Sequence, residues 1–158
     1  MVEQIVSSGE KVVIYSTFKQ TLDELRIKLK QYNPLLCIGG MSEQEIFNNK
    51  EKFQTDDNYK VFMATWQKGG TGITLTAANN VIFIDTPWTD ADMLQSSDRV
   101  HRIGQEKSVI IYNLITRDTI DERVLQLVTD KGAISRYIID NEVPDNAIES
   151  LRKYIQEL

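Results

Sequence analysis

The chain has little of what staples, metal centres and membranes require. It carries one cysteine (Cys37) and one histidine (His101) in 158 residues. A single thiol excludes an internal disulfide and a cysteine-rich zinc site, and one imidazole beside it argues against a transition-metal centre, so no metal-binding residue is expected. No apolar run reaches the roughly 18 residues of a helical membrane span. The opening MVEQIVSSGEK has no basic stretch followed by an apolar one, which argues against a signal peptide. Basic charge is not in excess either: 18 Lys+Arg stand against 23 Asp+Glu, a formal charge of -5. Domains that hold nucleic acid by bulk charge are normally basic. Any such contact here rests on a few local groups or backbone amides, weak in the isolated chain and sensitive to salt.

What is present is an ordinary globular composition, 41% hydrophobic and 26% charged, in a length that suits one domain with its own core. The class implied is an intracellular domain, cytoplasmic or, in a eukaryote, nuclear. Residues 1–8 read as a helix entered partway along, which fits a fragment of a longer protein.

Five β-rich runs, at 11–16, 35–38, 60–64, 80–85 and 108–114, are mostly continuous in apolar character. Strands covered on both faces of a parallel sheet read this way. Between them lie helical patterns: Leu22, Leu25, Leu29 and Tyr32; Ile46, Lys50 and Phe53 behind a Ser42/Glu45 capping box; and Val124, Leu127 and Val128 behind Thr119/Glu122. Pro144 opens a last stripe of Ile148, Leu151, Ile155 and Leu158. The alternation predicts an α/β fold, a parallel sheet with helices on both faces and a helical C-terminal extension.

Ligands of such sheets collect at the carboxyl ends of the strands. The segment Thr65 to Gly72 follows a buried strand and carries Gly69, Gly70 and Gly72. It fits either a phosphate-facing loop or a tight turn in which glycine supplies only positive φ. It is not a Walker A loop, because Lys68 precedes the glycines and no G-x-x-x-x-G-K-[ST] occurs. No strand-ending acidic pair is placed to hold Mg²⁺, so nucleotide hydrolysis by this chain alone is not expected. A Rossmann-type alternative lacks G-x-G-x-x-G after the first strand.

The segment Leu94 to Gln105 is the most informative. On a helix capped by Thr89, Arg99 falls about 40° from Gln95 and Arg102 about 20° the other way. The three then form one polar stripe, with Met93, Leu94, Val100 and Ile103 facing the protein. Arginine suits planar recognition of phosphate oxygens. A solvated face with an Asp98–Arg102 pair, worth about a few tenths of a kcal/mol, is the plainer reading of such a stripe.

The string DRVHRIGQ resembles the last signature motif of Swi/Snf-type ATPases, in the superfamily-two helicase group. KVVIYSTFKQTLDEL is similar to that family's fourth motif and ATWQKGGTGITLTAANNVIFIDTPW to its fifth, in the same order, so the resemblance covers about residues 10–130. It implies a second RecA-like lobe over residues 1–130, with residues 131–158 as a helical extension packed on it. It further implies that Arg102, with Arg99 beside it, is an arginine finger for ATP and Mg²⁺ held by a first lobe, the cofactors of the whole motor and not of this chain. Gln95, Gly70 and Gly72 would orient and couple the nucleotide site. Ser16, Thr65, Gly40, Ser42 and Lys68 would touch the backbone of double-stranded DNA. The parent would then be an ATP-dependent DNA translocase or helicase-like ATP hydrolase; the rival is a RecA-like module that only binds proteins. Three departures from the family stand out: Thr74 replaces a usual Asn, Trp66 and Gln67 replace small or basic residues, and Thr89-Asp90 stands for Asn-Pro.

Overall fold

A computed structural model describes residues 1–66, 73–85, 90–119 and 121–122, with backbone alone at 90–93. The elements in order are α1 (Val2–Ser7), β1 (Val12–Ser16), α2 (Lys19–Lys28), a 3₁₀ turn (Lys30–Tyr32), β2 (Leu35–Cys37), α3 (Glu43–Thr55), β3 (Val61–Thr65), β4 (Asn80–Phe83), α4 (Asp90–Ser97) and β5 (Ile110–Asn113). The strands pair in parallel in the order β2-β3-β1-β4-β5. The sheet expected from the apolar runs is therefore present, each strand lying inside its run except β3, which extends one residue past it to Thr65.

Alternation along the strands splits the core between the two faces. Val13 and Tyr15 of β1 pack with Phe53 of α3, Phe62, Phe83, Leu75 and Val100 on one face. Val12 and Ile14 pack with Ile5 of α1, Leu22 of α2 and Met63 on the other. Every residue of β1, β2, β3 and β4 is buried, as strands covered on both sides must be. The edge strand β5 differs. Among the described residues it pairs only with β4, and its Ile110 and Ile111 are 47% and 43% exposed, whereas the other edge strand, β2, is buried.

Helix α3 starts where its capping box predicts. The Ser42 hydroxyl accepts from the Glu45 N–H at 3.3 Å, and the Glu45 carboxylate accepts from the Ser42 N–H at 2.9 Å. Ile46 and Phe53, two turns apart, then face the same core. The second predicted box is displaced by one residue. Thr119 Oγ1 accepts from the Asp121 N–H at 3.3 Å, but Glu122 reaches the Asp118 N–H rather than that of Thr119. The expected extension at 131–158, the Thr89 cap and the 130/131 boundary lie outside the described residues.

Candidate functional site

Helix α4 ends at Ser97, so the helical stripe drawn through Gln95, Arg99 and Arg102 is corrected: only Gln95 is helical. Serine is a weak helix-interior residue because its hydroxyl competes for backbone groups. Here Ser97 Oγ donates to the Leu94 carbonyl at 3.0 Å. The chain then winds through tight turns, with Arg99 N–H to Ser96 O at 3.3 Å and Val100 N–H to Ser97 O at 2.9 Å. A further turn closes from Gln105 N–H to Arg102 O at 2.9 Å, with Gly104 at φ +100° in its third position. That position requires positive φ, which glycine adopts without Cβ strain.

The change of path alters which residues face inward. Val100 is fully buried, as expected, but Leu94 is 62% exposed and Ile103 wholly so. The polar residues nevertheless converge. Gln95, Asp98, Arg99, His101, Arg102 and Ile103 line one open depression of about 470 Å³. Arg99 is half-buried, whereas Arg102 and His101 are exposed. No Asp98–Arg102 ion pair forms among the described residues; Arg102 Nη1 donates instead to Thr74 Oγ1 at 3.0 Å.

Hydrogen bonds from outside the depression hold the arginine turn in place. The Leu75 N–H donates to the Arg99 carbonyl at 2.8 Å, fastening the 73–78 segment to the arginine turn. Gln105 Nε2 lies 2.6 Å from the Ala78 carbonyl, 3.1 Å from that of Thr76 and 3.3 Å from that of Val100. The Tyr15 hydroxyl, rising from β1, reaches the Ser96 carbonyl at 3.4 Å. Burial pushes this phenol far above its ordinary pKa, with a smaller push from Cys37 and an opposing pull from the Arg99 cation. Tyr15 therefore stays neutral and acts as a strut under the end of α4.

A second group of expected residues lies at the strand carboxyl ends. Ser16 and Thr65 are register partners closing β1 and β3, and both are buried. The Ser16 hydroxyl donates to Asp85 and accepts from the Phe18 N–H at 3.1 Å. The Ser16 proton is thus engaged inside the protein, at the strand end where a DNA phosphate contact was expected. Ser42, expected at the same edge, uses its hydroxyl in the capping box, donating to Glu45 at 2.7 Å while accepting the capping N–H. Those same Ser42 groups hold the Glu45 pKa below the ordinary value. Gly40 keeps open space around its backbone at φ +93°. Lys68, Gly70 and Gly72 lie outside the described residues.

Asp85 is the residue that sequence reasoning missed. Its carboxylate accepts from the Ser16 hydroxyl, the Thr17 N–H at 2.8 Å, the Thr17 hydroxyl at 2.6 Å and the Trp66 indole at 3.1 Å. It ties together the ends of β1, β3 and β4. Trp66 stacks at 4.6 Å on Phe83 and 5.6 Å on Tyr15, so this departure from the family pattern serves the core. Strand-ending position was the only signal for Asp85, because its partners are 19 to 69 residues away.

An all-parallel sheet in this order, with an arginine-lined depression beside it, defines a RecA-like α/β lobe. The helicase conserved C-terminal domain model matches residues 1–104. The chain is 36% identical to the human lymphoid-specific helicase over 141 residues, covering 88% of this chain and 17% of that protein. It is 38% identical to the ATP-dependent helicase FUN30 of Saccharomyces cerevisiae over 148 residues, covering 92% of this chain and 13% of FUN30. The crystal structure of the C-terminal part of the Fun30 ATPase domain superposes with a TM-score of 0.74 at 39% identity, over 78% of this chain and 40% of that one. The chain belongs to the helicase conserved C-terminal domain family, in its Swi/Snf-type branch. It spans less than a fifth of the length of these curated relatives.

Proposed function

We propose that this lobe completes an ATP site held by a first RecA-like lobe, with Arg102 as the finger on the γ-phosphate and Arg99 beside it. The observation that carries this reading is the environment of Arg102. Its guanidinium stands in an open depression and, among the described residues, is anchored to a neutral hydroxyl rather than an acid, with Gln95 on the same wall. A guanidinium has five N–H donors in a planar fork, so one bond to Thr74 leaves most of them for an anion. The exposed Leu94 and Ile103 suit a surface that another lobe covers.

ATP with Mg²⁺ would be bound mainly by the first lobe, since neither a Walker A loop nor a Mg²⁺-binding acidic pair is found here. Arrival of the arginines when the lobes close offsets negative charge on the transferring phosphoryl group as water attacks. Gly70 and Gly72 would couple that closure to the track. Double-stranded DNA would be held by its backbone through Ser16, Gly40, Ser42, Thr65 and Lys68. The net charge of -5 makes that grip dependent on the rest of the motor.

The test is DNA-stimulated ATP turnover of Arg102→Ala in the polypeptide carrying both lobes. Turnover should fall by about 10³–10⁵ while ATP still binds. Turnover at the wild-type rate would remove Arg102 from this role.

A further inference from the structure

We infer that Thr74 is a positioning residue for Arg102, and that the 73–78 segment is the platform from which the guanidinium is aimed. The inference rests on the proposed role of Arg102 and adds a residue that the motif comparison marks only as a departure.

The geometry begins with the alternation of burial at 73–75. Ile73 and Leu75 are buried in the sheet core, so Thr74 between them, half-buried, turns toward the arginine turn. The Leu75 N–H to Arg99 carbonyl bond holds the two segments in register. Within that frame Thr74 Oγ1 sits 3.0 Å from Arg102 Nη1. This is the one side-chain bond on the Arg102 guanidinium among the described residues.

The acceptor is also chemically suited. A carboxylate at position 74 would neutralise the cation and compete with a phosphate. A hydroxyl accepts one N–H, fixes the direction of the planar group and leaves the charge intact. Long, exposed arginine side chains otherwise sample many rotamers, and every misaligned one lowers the chance that the finger meets the phosphate when the lobes close. Gln105 plays a different part, donating to the Thr76 and Ala78 carbonyls and so holding the platform itself.

Three variants of the two-lobe polypeptide separate these roles, each measured for kcat, KM for ATP and melting temperature. Thr74→Val keeps the side-chain shape and removes the acceptor. It should lower kcat roughly tenfold, about the worth of one hydrogen bond to a charged group, with KM and melting temperature unchanged. Thr74→Ser restores an acceptor and should return kcat to within about twofold of the wild type. Gln105→Ala should lower the melting temperature by several degrees. Wild-type kcat in Thr74→Val, while Arg102→Ala is inactive, would overturn the positioning role and leave the finger standing. A kcat loss in Thr74→Val accompanied by a melting shift like that of Gln105→Ala would also overturn it, since the role would then be structural. Wild-type kcat in Arg102→Ala would overturn the finger and the inference with it.

Discussion

Two cations show how differently one small domain treats positive charge. Lys11, at the amino end of β1, is 6% exposed. Its ammonium donates to the Phe53 carbonyl at 2.6 Å and the Asp56 carbonyl at 3.1 Å, lies 3.5 Å from Asp57, and sits 5.4 Å from the centre of the Phe53 ring. It caps the carbonyl end of α3, where a positive charge complements the helix dipole. Arg102 is exposed and, among the described residues, its guanidinium holds only the neutral Thr74 hydroxyl. A structural cation is surrounded until its charge is spent; a cation kept for a ligand is aimed and left unneutralised. The amino end of the sheet repeats the first pattern. Glu10 accepts from the Asn79 and Asn80 amides at 2.8 and 2.9 Å and lies 3.7 Å from Lys107.

The contrast can be broken by exchanging readouts. Its largest expected effect is the loss of turnover in Arg102→Ala, with the melting temperature unmoved because the side chain is exposed. Lys11→Met should show the reverse. Losing the donor to the buried end of α3 should cost about 1–3 kcal/mol, a melting shift of several degrees for a domain of this size. Turnover per folded molecule should be unchanged. If Lys11→Met melts like the wild type, the amino end does not have the stabilising role described.

The smallest effect concerns pH. The Asn80 and Asn79 amides hold Glu10 below its ordinary value of 4.5, with help from Lys107. Ser42 does the same for Glu45, and Lys60, then Lys11, for Asp57, whose ordinary value is 3.8. In each case the unfolded chain takes up its proton first as pH falls. The stabilisation is complete above those ordinary values and is lost as pH drops through the depressed folded ones. Melting temperature should therefore be flat from neutral pH to about pH 5 and decline below about pH 4.5, less steeply in Glu10→Gln. An equally steep decline in that variant would remove Glu10 from the account.

The strands were legible because a sheet buried on both faces needs unbroken apolar runs, and β1, β3 and β4 have them. The Ser42/Glu45 box was legible because both partners lie within one helical turn. The arginine turn was misread for a definite reason: angles of 100° per residue hold only while the helix continues. Ser96-Ser97 and Gly104 were the available signs that it does not. The convergence of Gln95, Arg99 and Arg102 survived because tight turns kept all three on the rim of one depression. Asp85, Gln105 and Lys11 were beyond reach, since their partners come from other strands, loops and helices. Position 74 stood out only as a departure from a motif, and its use appears once Arg102 is beside it.

The most direct test of the central claim is the affinity of the two-lobe polypeptide for ADP with aluminium fluoride, relative to its affinity for a non-hydrolysable ATP analogue. A finger acts on charge that develops during transfer, so it should favour the transition-state mimic over the ground state. The account predicts that Arg102→Ala weakens binding of the aluminium fluoride complex by at least about a hundredfold while leaving the ATP analogue nearly unaffected. Equal losses for both, or none for either, would contradict it.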